Sequence, residues 1–172
     1  MNNEGEREND FTVLLFQYLN KSGVDYAVLR NYQNLPENTG GSDLDIWVDE
    51  NDSGMFLSCL KNINGSLSGH LVSATYGRNY KKICLLNVKS GLQIDLFEGN
   101  IYYKNYPIIE ADVIYRSIEQ YGEIWVLEEK LASLISVVKE IINNAACAEK
   151  YQRMVYVQDD YSLNFLKSSL GL

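Results

Sequence analysis

The chain has 172 residues, of which 46% are hydrophobic and 22% are charged, and this composition supports a globular core and excludes wholesale disorder. Its formal net charge of -8 argues against a broad phosphate-binding surface, so no long nucleic acid is expected as a partner. Three scattered cysteines without a Cys-x-x-Cys pair favour buried thiols in a reducing compartment. The acidic start lacks the basic region of a signal peptide. Since the apolar run FTVLLFQYL is too short to span a membrane, we expect a cytoplasmic protein without a membrane partner.

The predicted elements begin after a disordered tail over residues 1–8. Apolar residues over 11–19 recur at the spacing of one helical face, and Gly23 is a typical helix stop. The run YAVL at 26–29 is typical of a buried strand. A loop with proline and paired glycines then leads to a second strand in GGSDLDIWV at 40–48, in which apolar residues alternate with aspartates and Trp47.

The second half of the chain is first strand-like and then helical. After a helix that follows DENDSG, three strands are predicted within residues 70–97, separated by two short turns suited to hairpins. A tyrosine-rich loop follows at 99–107, and the pattern over 111–121 predicts a helix. A short strand at 123–127 precedes a strongly amphipathic helix at 127–143.

This order of elements predicts an α+β fold. We expect a mixed sheet of about five strands with the helices on one face, an open face that bears carboxylates, and C-terminal helices. The α+β domain is predicted over residues 9–126 and a helical extension over 127–172. The amphipathic helix that opens the extension is expected to be part of the core or a contact in a homo-oligomer.

Three aspartates are predicted to share the open face of the sheet. Asp43 and Asp45 lie two residues apart, so their side chains point the same way from positions about 7 Å apart. Asp95 alternates with apolar residues in LQIDLF and would lie about 5 Å across the ladder if the two strands are neighbours. Three such acids repel one another unless cations bind between them, and Mg²⁺ or Mn²⁺ prefers oxygen ligands. The pattern predicts a metal site with these three residues as ligands, although a solvated sheet face also carries such pairs.

Two further groups near the aspartates suggest phosphate binding. Gly41 and Ser42 directly precede the acids, and a glycine there lets the backbone approach a phosphate. Arg78, Lys81 and Lys82 lie close together in an otherwise acidic chain and would neutralise a triphosphate or a pyrophosphate leaving group. The alternative is an ordinary solvated hairpin with lysines that protect a sheet edge.

GGSDLDIWV, followed about fifty residues later by QIDLF, resembles the nucleotidyltransferase fold of the DNA polymerase beta superfamily, in particular its small, minimal-type bacterial members. YAVLRNYQNLP and YYKNYPIIEADVIY resemble a branch of nucleotidyltransferase-like proteins, and the resemblance covers residues 11–143. It implies that Asp43 and Asp45 bind two metal ions. It also implies that Asp95 helps bind one of them and activates the attacking hydroxyl.

The chain departs from the family pattern at the end of the first strand. Family members carry a Gly-Ser pair there, some ten residues before the acids, and its serine contacts the phosphates of the nucleotide. Arg30 and Asn31 stand at this place. Asn31 can donate a hydrogen bond to a phosphate, and Arg30 can pair with one bidentately.

The resemblance implies a metal-dependent nucleotidyltransferase. Such an enzyme moves a nucleoside monophosphate from a nucleoside triphosphate such as ATP to a hydroxyl or phosphate of an acceptor, here a small-molecule, sugar-linked or protein acceptor. Two alternatives stay open. A catalytically inactive nucleotide-binding or antitoxin-like partner module is favoured by the absence of the Gly-Ser pair. A metal-dependent glycosyltransferase also uses an acid-x-acid pair, although the chain is short for that fold.

Overall fold

The structure is a computed structural model that describes residues 10–103 and 106–144. The predicted tail over 1–8 and most of the predicted extension over 127–172 lie outside these residues. Within the described residues, four helices and nine strands follow one another along the chain. They are α1 (Asp10–Ser22), β1 (Tyr26–Val28), β2 (Leu44–Val48), α2 (Ser53–Ser66), β3 (His70–Thr75), β4 (Tyr80–Leu86), β5 (Gly91–Glu98), β6 (Ile101–Tyr103), β7 (Tyr106–Ile109), α3 (Ala111–Arg116), β8 (Ile118–Tyr121), β9 (Ile124–Leu127) and α4 (Glu129–Asn144).

Seven of the strands form one mixed sheet in the order β3-β4-β5-β2-β1-β9-β8. At its centre β2 runs parallel to β5 and antiparallel to β1, and β1 runs parallel to β9. The strands β3, β4 and β5 form an antiparallel meander, and β6 and β7 form a separate hairpin. The prediction of an α+β fold with a mixed sheet is confirmed, although the sheet has seven strands rather than about five.

The short strand predicted at 123–127 joins the sheet as β9, and three other strands lie in segments that were assigned to a helix or a loop. The predicted helix over 111–121 is wrong beyond Arg116, because Ile118–Tyr121 form β8 and pair with β9. The hairpin between them turns at Gly122, which has a φ of +59°, a conformation that glycine adopts without strain. A stretch this short fits both periodicities, so pairing with β9 decides its structure. The predicted tyrosine-rich loop at 99–107 likewise contains β6 and the start of β7.

One face of the sheet is apolar and is covered by α1 and α2. Leu44, Ile46 and Val48 of β2 point to this face together with Ile94 and Leu96 of β5. The helices contribute fully buried side chains to the same core, namely Phe11, Leu15, Leu19, Phe56, Leu60 and Ile63. The spacing of the apolar residues over 11–19 therefore predicted the buried side of α1 correctly.

The opposite face is divided, and the prediction that all helices lie on one face is wrong. Trp47, which alternates with the aspartates of β2, is fully buried in a second apolar cluster. That cluster includes Ile114 of α3, Leu131 of α4 and Ile101 of β6. A large apolar side chain on the carboxylate side of a strand needs a covering layer, because leaving it in water is unfavourable. The aspartates occupy the part of this face that the second cluster does not cover.

The helix α4 packs its apolar side into the protein. Leu131, Leu134, Val137 and Val138 are buried to within 3% of full burial. This helix was expected to be part of the core or a contact in a homo-oligomer, and its described apolar side chains belong to the core. No helix in the described part of the chain combines the length and the hydropathy needed to cross a membrane.

Candidate functional site

Asp45 and Asp95 lie side by side at the centre of the sheet. They are register partners on the parallel strands β2 and β5, so the two strands are neighbours as the site prediction required. Asp45 is only 3% exposed and Asp95 only 6% exposed. Asp43 is the residue immediately before β2, two positions from Asp45, and it is exposed. The fold therefore brings together two nearly buried carboxylates, with a third at the solvent edge.

Each buried carboxylate is paired with a cationic side chain. Arg30, which follows β1, donates from Nε to Asp45 Oδ2. Lys82 is the register partner of Asp95 on β4, and its Nζ lies 3.5 Å from Asp95 Oδ1. Adjacent carboxylates that lose hydration on burial destabilise each other's ionised form. Arg30 and Lys82 offset this repulsion from within the chain.

Tyr80 belongs to the site and was not predicted from the sequence. Its hydroxyl donates to Asp95 Oδ2 at 2.9 Å, and its ring stacks on Phe97 with 5.0 Å between centroids. Burial raises the pKa of Tyr80, and the hydrogen bond to Asp95 raises it further, so the phenol remains a donor. The sequence placed Tyr80 in a turn, whereas it begins β4. Its spacing of two residues from Lys82 was the available signal, because it puts both side chains on one strand face.

A divalent metal requires carboxylates that converge on one point. Among the described residues, no group of three His, Cys, Asp or Glu side chains converges as a metal site. Asp95 Oδ1 is buried and accepts no hydrogen bond from the described residues, although it lies at ion-pair distance from Lys82. An oxygen in this state has capacity for a further cation or proton. The carboxylates match Mg²⁺ or Mn²⁺ in donor type, whereas their present positions pair Asp45 with Arg30 and Asp95 with Lys82, and these contacts would be exchanged on binding the ion.

The turn after β1 brings Arg30 to the aspartates. Leu29 N donates to Asp45 O at 2.9 Å, which anchors the chain to β2 just before Arg30. Asn31 then has a φ of +58°, a left-handed conformation that asparagine adopts more readily than most residues with a side chain. Asn31 is exposed. Contact of either residue with a phosphate stays a prediction, and in this structure Arg30 contacts a carboxylate.

The three cations that were predicted as one cluster lie in three places. Only Lys82 shares a face with the aspartates. Lys81 points to the other side of β4 and pairs with Glu98, because successive residues on a strand face opposite ways. Arg78 is exposed in the turn between β3 and β4, and its guanidinium carbon lies 4.9 Å from the centroid of the Tyr102 ring.

Gly41 and Ser42 lie beside a cavity rather than beside the paired cations. The cavity measures about 290 Å³ and is also lined by Asp43, Cys84 and Gln93. Gly41 has a φ of +74°, so the loop that bounds the cavity uses a conformation typical of glycine. Asp43 is therefore shared between the aspartate site and this cavity.

No protein-family model matches the chain, and no curated protein is significantly similar to it. The functional argument accordingly depends on the placement and chemistry of the chain's own residues.

Proposed function

We propose that the chain is a metal-dependent nucleotidyltransferase that uses Asp43, Asp45 and Asp95 to bind Mg²⁺ or Mn²⁺ with a nucleoside triphosphate. The observation that supports this most directly is the register pairing of Asp45 with Asp95 on parallel strands, with Asp43 at the edge. Carboxylates at such positions can share hard cations with the oxygens of a triphosphate. A bound metal would offset the charge on the phosphates and orient the reactants for in-line displacement.

The proposed reaction moves a nucleoside monophosphate to an acceptor. The acceptor's hydroxyl or phosphate oxygen forms a bond to the α-phosphorus, and the bond between that phosphorus and the pyrophosphate oxygen breaks. Where the acceptor is a hydroxyl, its proton passes to Asp95, whose Oδ1 accepts no hydrogen bond from the described residues. Tyr80 holds the other oxygen of Asp95 at 2.9 Å, which orients the carboxylate for this transfer.

Arg30 and Lys82 have a second role in this proposal. When the nucleotide enters, Arg30 leaves Asp45 and pairs with a phosphate, for which the planar guanidinium is suited. The Arg30 side chain is 34% exposed and can therefore rotate toward solvent, whereas Asp45 is only 3% exposed. Lys82, close to Asp95, adds positive charge where negative charge develops on the phosphates.

The direct test is calorimetric titration of each nucleoside triphosphate with Mg²⁺, combined with measurement of pyrophosphate release. We expect the wild type to bind a nucleotide only with the metal, and the Asp43→Asn/Asp45→Asn variant to lose this binding. Asp112→Asn is a matched control, because Asp112 is 83% exposed and pairs only with Arg116 at 3.7 Å among the described ion pairs. Absence of metal-dependent nucleotide binding in the wild type would contradict the proposal.

The second candidate function is a catalytically inactive nucleotide-binding or antitoxin-like partner module. The ion pairs of Arg30 with Asp45 and of Lys82 with Asp95 favour it, because they neutralise the acids without any metal. Nucleotide binding without pyrophosphate release, with every acceptor class tried, would favour this module over the enzyme. The glycosyltransferase alternative receives no specific support from the described residues.

A further inference from the structure

The cavity beside Asp43 is the next step along the carboxylate face from Asp95 and Lys82. Its floor includes Gln93 and Cys84, which are register partners on β5 and β4. Gln93 lies two residues from Asp95 on β5, a distance of about 7 Å along the same face of the strand. A ligand in the cavity therefore lies beside the aspartates without overlapping Asp45.

The lining of the cavity favours an uncharged ligand. Within the described part of the chain no Lys, Arg or His lines it, and the exposed carboxylate of Asp43 at its rim repels anions. Arg30 and Lys82 do not reach its walls and are paired with Asp45 and Asp95. A phosphate group therefore belongs at the aspartate end of this face rather than in the cavity.

The same lining matches a compound with many hydroxyl groups. Thr39, Ser42 and Gln93 offer hydroxyl and amide groups, and Asp43 offers an acceptor. Leu86, which shares the face of Cys84 and is exposed, supplies apolar surface, against which the carbon–hydrogen face of a sugar ring can pack. A volume of about 290 Å³ lies near the lower limit of small-molecule pockets, which suits a single ring better than a chain of them.

The absence of a side chain at Gly91 leaves room for Leu86 beside the cavity. A Cβ added at Gly91 would lie 2.7 Å from Leu86 Cδ2 and 3.3 Å from Leu85 O. A side chain at Gly91 would therefore push Leu86, which lines the cavity, out of its place. The cavity therefore depends on the pairing of Leu86 on β4 with Gly91 on β5.

We infer that this cavity is the acceptor subsite and that it binds an uncharged, polyhydroxylated acceptor of the sugar class. The inference rests on the proposed function, since it places an acceptor hydroxyl next to Asp95. Gln93 binds the acceptor through its amide, and Asp43 accepts a hydrogen bond from one of the ligand's hydroxyls. The cavity is thereby separated in chemistry from the cationic region that would receive phosphates.

Cys84 provides a probe of this cavity in the unmodified protein. Its thiol is half-buried among the lining residues, whereas Cys59 is buried on the inner side of α2. The rate of alkylation of each cysteine by iodoacetamide can be followed by mass spectrometry of the digested protein. The probes are methyl glucoside, methyl galactoside, ribose and myo-inositol as neutral compounds, with inorganic phosphate and glucose 6-phosphate as anions.

We expect at least one neutral compound to slow alkylation of Cys84 by about threefold at twice its dissociation constant, with no effect on Cys59. Gln93→Leu, which removes the amide at similar size, is expected to abolish the protection. Gln17→Leu is the matched control, because Gln17 is exposed on α1. Protection by the anions to the same extent would overturn the inference, as would protection by none of the neutral compounds.

The outcome is distinguishable from that of the nucleotide titration. If the chain binds nucleotide with Mg²⁺ but no neutral compound protects Cys84, the acceptor subsite is wrong and the proposed function stands. If Cys84 is protected but no nucleotide binds, the cavity binds such compounds in another role and its assignment as an acceptor subsite is overturned.

Discussion

The two faces of β2 and β5 are buried to a similar extent by different means. Ile46 and Ile94 are fully buried beneath α1 and α2, while Asp45 and Asp95 are 3% and 6% exposed on the other face. Removing the isoleucines from water stabilises the fold. Removing the aspartates from water costs free energy, which Arg30 and Lys82 offset only in part. Equal burial therefore marks the core on one face and the candidate site on the other.

Substitution of Asp95 gives the largest expected difference between the faces. If Asp95 is the general base, Asp95→Asn is expected to lower the rate of nucleotidyl transfer by about 10²–10⁴-fold. The fold is retained, because an asparagine can still accept the hydrogen bond from Tyr80. Pyrophosphate release and circular dichroism measure the two effects. An unchanged rate would remove Asp95 from the proposed mechanism.

Substitutions of two neighbouring residues of β5, one on each face, are expected to differ in their effect on the free energy of unfolding. Ile94→Ala is expected to lower the free energy of unfolding by about 2–5 kcal/mol, since it leaves a cavity under the helices. Gln93→Ala, on the carboxylate face, is expected to change it by less than about 0.5 kcal/mol. Urea denaturation at constant m-value measures both. Similar losses for the two variants would break the distinction between the faces.

Removal of Arg30 tests whether the chain itself neutralises the aspartates. Arg30→Gln leaves Asp45 buried without its guanidinium, so we expect a loss of about 2–3 kcal/mol in the presence of a chelator. Mg²⁺ is expected to restore more stability to this variant than to the wild type. Thermal unfolding with and without Mg²⁺ measures this difference. Arg116→Gln is the control, because its ion pair is exposed and contributes less than about 1 kcal/mol.

Tyr26 lies on the apolar side of β1, and its ionisation is expected to make the free energy of unfolding depend on pH in the alkaline range. Burial raises the pKa of Tyr26 to about 12 from the ordinary value of 10.0. Between these values the unfolded chain loses the proton and the folded chain keeps it, so stability falls as pH rises from 10 to 12 and is unaffected by Tyr26 below 10. In the wild type this lowers the free energy of unfolding by on the order of 2 kcal/mol at pH 12, and Tyr26→Phe is expected to remove that loss.

Denaturation across this pH range checks the prediction for Tyr26. Tyr115→Phe serves as the control, because Tyr115 is 55% exposed. The same alkaline loss in the wild type and in Tyr26→Phe would show that other groups govern it.

Local patterns predicted the elements whose partners the sequence itself specifies. The spacing of apolar residues identified α1 and the buried side of α4, and alternation identified the aspartate face of β2. The covering of Trp47 was missed, although a tryptophan at an aspartate-side position was a usable signal for a second apolar layer. β8 was missed because its structure depends on pairing with β9.

The parts of the site that could not be predicted depend on contacts between distant residues. Tyr80 contacts Asp95 only because of the register between β4 and β5. Arg30 contacts Asp45 because the turn at Asn31 follows a strand anchored to β2. The one-dimensional pattern placed Lys81 and Lys82 together, whereas strand alternation sends them to opposite faces. Residue types were visible in the sequence, and their partners were not.

The parallel pairing of β2 with β5 has a consequence for how the protein folds. The meander of β3, β4 and β5 joins strands that follow one another in the chain. The strands β2 and β5 are instead separated in the chain by α2, β3 and β4. Pairings between distant segments carry a larger loop-closure entropy and form more slowly. Asp45 and Asp95 would then meet late, after the meander has formed. Ligand binding at the aspartates would in that case report completed folding rather than partial structure.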